Sequence, residues 1–243
     1  MTLRHFEQEV GTYSELAAEY YDSQKHPTCA NFRELSVSFI SQFLLSERSV
    51  ELNFHGAILE TGAGLSVFCE PALQKLNPNL KITLQDSSEE MLSHSKSKLG
   101  DSVDFIHSDA RKIPACDQNY DIVISSLADP YNDDEFWKEL RRIISYKGLW
   151  IVTAPSFDWA NAFRTSNEKI YAEFLKEDGT VIHVPSYTYR PNEMINRVTE
   201  NGFRLIKYEA KNKGLIRSKL SYKIDIEENP PVMDCYVFVR QDI

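Results

Sequence analysis

The sequence predicts an α/β fold: a doubly wound, mostly parallel sheet covered by helices on both faces. Three observations carry this. Ala57-Ile58-Leu59-Glu60 is an apolar run that leads into the turn Thr61-Gly62-Ala63-Gly64. A second run, Lys81-Ile82-Thr83-Leu84-Gln85, ends in Asp86 about 20 residues further on, the spacing at which a carboxylate meets a ribose. Short apolar runs then alternate with amphipathic segments, the pattern of parallel strands buried on both sides.

Element by element, the first fifty residues read as mainly helical. Phe32, Leu35, Val37, Phe39, Ile40, Phe43, Leu44 and Leu45 recur so as to bury one side of a helix. Strands are expected near 57–60, 81–85, 103–106, 121–125 and 149–154. Residues after the glycine turn look helical. Ser87-Ser88-Glu89-Glu90 supplies an N-cap and an acidic first turn, so a helix should begin there. Phe136, Leu140, Ile143 and Ile144 form another helical stripe, which stops at a turn at Lys147-Gly148. A last helix is expected at Asn192–Glu200, followed by strands at 203–208 and 232–239. Residues 155–190 and 210–231 exceed what connects these elements, and long segments of this kind commonly build binding sites.

The glycine turn lets backbone N–H groups approach a ligand where a Cβ would collide. A dinucleotide fingerprint would place a third glycine at position 67, which is Val67, and no phosphate-gripping Gly-x-x-x-x-Gly-Lys occurs. The pattern asks for a nucleoside without a pyrophosphate.

Glu60-Thr61-Gly62-Ala63-Gly64-Leu65-Ser66 resembles the first motif of the class I S-adenosylmethionine-dependent methyltransferases of small-molecule type, with Ser66 in place of the last glycine. Asp86-Ser87-Ser88-Glu89-Glu90-Met91-Leu92 is similar to their ribose-binding segment, and Ser108-Asp109-Ala110 to their adenine-binding segment. Tyr120–Leu127, Glu139–Ile144 and Lys147–Ile151 follow in the family's order. Tyr13-Ser14-Glu15-Leu16-Ala17-Ala18-Glu19-Tyr20-Tyr21-Asp22 resembles the lead-in that closes over the cofactor.

The resemblance implies a seven-stranded sheet with strand seven antiparallel, an N-terminal helical cap over 1–50, and a methyltransferase domain over 51–243 with substrate-side insertions at 155–190 and 210–231. It implies S-adenosylmethionine as cofactor and S-adenosylhomocysteine as product. Gly62 and Gly64 would line the methionyl-ribose path, and Glu60 would attract the ammonium. Asp86 would hold the ribose hydroxyls, and Ser87 and Met91 would flank the adenine. Asp109 and the Ala110 N–H would read the adenine edge, Ser126 would offer its carbonyl, and Tyr21 is a further cofactor contact, with packing on the sheet edge as its alternative.

Composition fits a soluble protein. The 243 residues suffice for one domain with embellishments, and 42% are hydrophobic. No apolar run approaches the ~18 residues of a membrane helix, and Met1–Glu7 lacks the apolar core of a signal peptide. Cys29, Cys69, Cys116 and Cys235 are scattered, which reads as reduced thiols in a cytoplasmic protein and not as a metal site. A net charge of −9 disfavours nucleic acid as partner, since phosphate backbones call for a basic face. The one basic stretch, Lys211–Lys219, reads first as a solvated loop and second as a surface for an anionic substrate.

Candidate catalytic residues are fewer. His26 and His183 are the histidines placed to act as a base, although a structural or exposed histidine is the simpler reading of each. Asp129-Pro130-Tyr131 follows strand four, where amino-methylating enzymes carry Asp/Asn-Pro-Pro-Tyr. The second proline is missing here, and a helix-capping turn is the alternative. Trp159, Phe163, Tyr187 and Tyr189 form either an aromatic wall for an acceptor or part of the core.

Methyl transfer to oxygen or nitrogen of a small molecule is the leading expectation. An amino-methyltransferase acting on a nucleobase or protein side chain, and a non-catalytic binding protein, are the rivals. Neither acceptor nor oligomeric state is legible.

Overall fold

The computed structural model describes residues 13–46, 56–75, 80–164, 170–227 and 230–242. Parts of the expected cap (1–12 and 47–50) and of the insertions (165–169 and 228–229) lie outside the described residues.

After a helical turn at 13–16, the elements are α1 (Pro27–Leu44), β1 (Ala57–Thr61), β2 (Lys81–Asp86), α2 (Glu89–Leu99), β3 (Asp104–His107), β4 (Tyr120–Ser126), α3 (Asp134–Ile143), β5 (Ile144–Pro155), α4 (Phe157–Ala162), β6 (Tyr171–Leu175), β7 (Val181–Pro185), α5 (Pro191–Glu200), β8 (Phe203–Lys211) and β9 (Met233–Arg240). One seven-stranded sheet runs in the order β3-β2-β1-β4-β5-β9-β8. The first five are parallel, and β9 lies antiparallel between β5 and β8. Sheet order therefore reverses between β1 and β4, the switch point beside which such sheets bind ligands.

Side-chain alternation divides the core into two layers. Ile58, Ile122, Ile124, Leu149, Ile151, Cys235 and Val237 face one way and meet Phe32, Leu35, Phe39, Ile40 and Phe43 of α1. Leu59, Val123, Trp150, Val152, Tyr236 and Phe238 face the other way, against α3 and α5. Each large side chain buried this way contributes on the order of 1.5–3 kcal/mol. The α3 stripe is Phe136, Trp137, Leu140 and Ile143, all buried.

Caps fix where helices start. Ser88 accepts from the Met91 N–H at 3.2 Å, with Glu89 and Glu90 in the first turn of α2. Asp133 accepts from the Phe136 N–H at 2.9 Å and opens α3, whose last turn carries Arg141 and Arg142. These charges complement the helix dipole.

Two details differ from the sequence expectations. The segment after the glycine turn forms 3₁₀ turns at Val67–Cys69 and Leu73–Lys75, with no α-helix among its described residues. The Lys147-Gly148 turn is an irregularity inside β5: Tyr120 faces Ile144, while Ile122 already faces Leu149, so the residues between loop out. Lys147 has φ 62°, and a Cβ on Gly148 would lie 2.7 Å from Ile144 Cγ2. The 155–190 insertion contains α4 and the antiparallel hairpin β6–β7. Among the described residues no helix is long and apolar enough to cross a membrane.

Candidate active site

The glycine turn and the tips of β2 and β4 open on one cavity of about 710 Å³, within the range that holds small ligands. Gly62 and Gly64 have φ 59° and 42°, the left-handed region that glycine adopts without penalty. A Cβ on Gly64 would stand 2.1 Å from the Tyr21 hydroxyl, and one on Gly62 would stand 3.0 Å from Ala128 Cβ.

Two carboxylates brace this turn. Asp86 accepts from the Gly64 N–H and from the Ser88 N–H, each at 2.9 Å. Glu60 accepts from the Ser66 hydroxyl at 2.5 Å and from the Val67 N–H at 3.1 Å. Burial pushes Glu60 up to about 7 and Asp86 up to about 6, against hydrogen bonds that pull each down. Both line the cavity, and a cationic ligand there would favour their ionised forms.

The cap is fastened to the same turn. Tyr21 accepts from the Leu65 N–H at 2.7 Å. Arg33, on α1, donates to the carbonyls of Leu65 at 2.5 Å and Ser66 at 3.1 Å, with its guanidinium 5.9 Å from the Tyr21 ring centroid. On the far side, the Gln85 side chain accepts from the Gly62 N–H at 3.3 Å and donates to the Ser108 carbonyl at 2.6 Å. Ser36 joins the Ser126 and Thr153 hydroxyls, each at 2.7 Å, tying α1 to the tips of β4 and β5. Just beyond, Leu127 takes φ 56° and lines the cavity.

Of the expected cofactor residues, Tyr21, Glu60, Gly62, Asp86, Met91 and Ser126 line the cavity, and Gly64 lies between its lining neighbours. Ser87 is spent on the Tyr131 hydroxyl at 2.5 Å. Asp109 does not face the cavity. Its carboxylate accepts from the Arg111 N–H at 2.9 Å and lies 3.6 Å from the Arg111 guanidinium. Ala110 is fully buried outside the lining.

The expected catalytic residues are dispersed. His26 is buried outside the lining, 3.7 Å from Glu19 and packed between the Tyr20 and Phe174 rings. His183 is exposed on β7, 4.0 Å from Glu173 across the hairpin. Asp129 is buried and raised to about 6 by desolvation. It accepts from Ser186, which in turn takes a 2.6 Å bond from Arg164. That network secures the insertion to strand four and keeps Asp129 out of the lining. Tyr131 does line the cavity, its ring 3.6 Å from where a Gly62 Cβ would sit. Trp159 packs on Phe32 and Phe163, and Tyr189 on Trp137, so none of the expected aromatic wall reaches the cavity.

Cys29 and Arg33 also line the cavity, as do Tyr13 and Tyr20 of the lead-in and Lys211, Leu215 and Arg217 of the basic stretch, none of which the sequence reading named individually as a site residue. The doubled Tyr20-Tyr21 and the charge run at 211–219 were the available signals. Among the described residues no cluster of His, Cys, Asp or Glu is arranged to hold a metal ion.

A parallel sheet with its switch point at β1/β4, a glycine turn and a buried carboxylate at the tip of β2 is the arrangement beside which doubly wound α/β sheets bind ligands. Residues 58–148 match the family model described as a methyltransferase domain. The chain is 27% identical over 168 residues to malonyl-[acyl-carrier protein] O-methyltransferase 1 of Ilyobacter polytropus, a match covering 65% of this chain and 58% of that protein. The chain thus matches little more than half the length of that curated relative. Its fold is similar to the DhpI–SAH complex, with TM-score 0.65, 16% identity and full coverage of both chains. It is also similar to the Burkholderia thailandensis 1,6-didemethyltoxoflavin-N1-methyltransferase, with TM-score 0.57, 10% identity, and coverage of 100% of this chain and 92% of that one.

Proposed function

We propose that this chain transfers a methyl group from S-adenosylmethionine to an oxygen or nitrogen atom of a small molecule. Asp86 carries the reading: a buried carboxylate at the tip of β2, held by the Gly64 and Ser88 N–H groups, that shares a cavity with the glycine turn. A carboxylate offers about four acceptor positions, and the Gly64, Ser87 and Ser88 N–H groups do not fill them all, which leaves acceptor capacity for a ribose hydroxyl. The two buried, partly neutralised acids Glu60 and Asp86 suit a ligand that brings positive charge.

When bound, the sulfonium supplies an already activated methyl group, so the protein's work is binding and orientation. Gly62 and Gly64 give close backbone approach, Met91 and Ser126 border the site, and Glu60 keeps the turn in shape while its charge acts through space. Tyr21 and Arg33 hold the cap against the turn and exclude water. The name of the Ilyobacter relative records an O-methyltransferase and the Burkholderia title an N1-methyltransferase, which supports oxygen or nitrogen as acceptor atom.

Methyl-labelled S-adenosylmethionine, incubated with the protein and a fractionated metabolite extract, tests this. Label should appear in a small molecule, with one equivalent of S-adenosylhomocysteine formed. Label in protein or nucleic acid would contradict the small-molecule reading. Cofactor binding without turnover on any fraction would point to a non-catalytic binder.

A further inference from the structure

We propose that Arg33 is a carboxylate subsite of the cavity, taking the carboxylate at the amino-acid end of the cofactor across the glycine turn from Glu60. This rests on the methyl-transfer reading above.

Residues 65–67, which follow Gly64, are gripped by two side chains of opposite charge. Glu60 accepts from the Ser66 hydroxyl and the Val67 N–H. Arg33, on α1, donates to the Leu65 and Ser66 carbonyls. Both side chains line the cavity. The amino-acid end of the ligand is a zwitterion, with an ammonium and a carboxylate on one carbon. A carboxylate and a guanidinium that converge on the same three residues match its two charges.

Arg33 has donors to spare for this. A guanidinium carries five N–H groups in a fixed fork suited to a carboxylate. Nη1 meets the Leu65 carbonyl, and Nη2 meets the Ser66 carbonyl and, at 3.4 Å, a Glu70 oxygen. The Nε–H has no acceptor among the described residues. Glu70 also lines the cavity, from a side chain 41% exposed, so the one carboxylate already on Arg33 is distant and open to displacement by water or ligand. Arg33 itself is only 20% exposed, and shielding from water strengthens a charge-assisted hydrogen bond. The other two cations lining the cavity among the described residues are placed differently. Lys211 pairs with Glu209 at the end of β8, and Arg217 is exposed on the loop that follows.

Arg33 belongs to the cap and not to the sheet. A carboxylate held there ties the ligand to α1, beside Tyr21, which accepts from the Leu65 N–H. A nucleoside lacking that carboxylate can still use Asp86 but leaves Arg33 unfilled.

The test is calorimetric titration with S-adenosylhomocysteine and with its decarboxylated analogue, which keeps the adenosine, sulfur and amine and lacks only the carboxylate. Wild type should prefer S-adenosylhomocysteine about ten-fold or more, the difference expected of hydrogen bonds between charged groups. Arg33→Gln should reduce that preference to about three-fold or less. A purely structural role, through the Leu65 and Ser66 carbonyls, would weaken both ligands equally and leave their ratio intact. Arg33→Lys, which keeps the charge but loses the fork, serves if the glutamine variant does not fold, and its preference should fall below that of wild type.

Equal binding of the two ligands by wild type, or a full wild-type preference in either variant, would overturn this inference and leave methyl transfer standing. Binding of neither ligand by wild type would overturn both readings.

Discussion

Ser66 donates its hydroxyl to Glu60 at 2.5 Å, and the same oxygen accepts from the Phe68 N–H at 3.0 Å. This serine stands where related sequences usually carry the last glycine of the motif. Its work is to satisfy a buried carboxylate. Ser66→Ala leaves Glu60 with the Val67 N–H alone and removes the cap of the following turn. We expect a loss of about 1–3 kcal/mol, the cost of an unsatisfied buried polar group, read by denaturant unfolding. An unchanged midpoint would show that Glu60 does not need the serine.

Glu60 also gives the ligand-free protein a pH signature. Its folded pKa, about 7, lies above its ordinary value of 4.5, so between these the native state holds more proton than the unfolded chain. Stability from this group is full below about pH 4.5 and is lost as pH rises through 7. Glu60→Gln should therefore flatten the fall in unfolding midpoint between pH 5 and 7. A parallel pair of curves for wild type and variant would reject the assignment. Cationic cofactor should bind more tightly as pH rises through the same window.

Gly64 and Tyr21 form a tight pair. Gly64→Ala carries the cost of a non-glycine residue at φ 42°, about 1–2 kcal/mol, and a clash with the Tyr21 hydroxyl at 2.1 Å. Adding Tyr21→Phe removes the hydroxyl and should restore part of the loss, measured as a double-mutant cycle. Strict additivity would mean the two do not meet.

Asp86→Ala should weaken S-adenosylhomocysteine binding roughly ten- to a hundred-fold, as expected for charge-assisted hydrogen bonds, with circular dichroism showing the fold retained. Asp86→Asn, which keeps one acceptor oxygen, should fall between. Equal affinities for all three proteins would remove Asp86 from the ribose site.

What the sequence made legible is the part set by local spacing. The glycine turn and Asp86 sit about one strand–connection–strand unit apart, so Gly62, Gly64 and Asp86 meet as expected, and β1 to β4 fall within a residue or two of their expected limits. What stayed hidden depends on long-range packing. His26 and His183 looked equally placed in sequence, yet Glu19 with Tyr20 and Phe174 buries the first, and the hairpin turns the second outward. The basic loop, read first as solvated, brings Lys211 and Arg217 into the cavity because β8 and β9 pair along their full length and end it there. Lys147 showed no glycine-like signal for its positive φ, so the loop within β5 passed as a plain turn.

The central claim is that the cavity between the glycine turn, Asp86 and the cap binds S-adenosylmethionine. Calorimetric titration of the protein with S-adenosylhomocysteine, with NAD as control, tests it most directly. We expect one site of micromolar affinity, about −8 kcal/mol, and no heat from NAD. No binding of S-adenosylhomocysteine, or NAD binding equally well, would contradict the account.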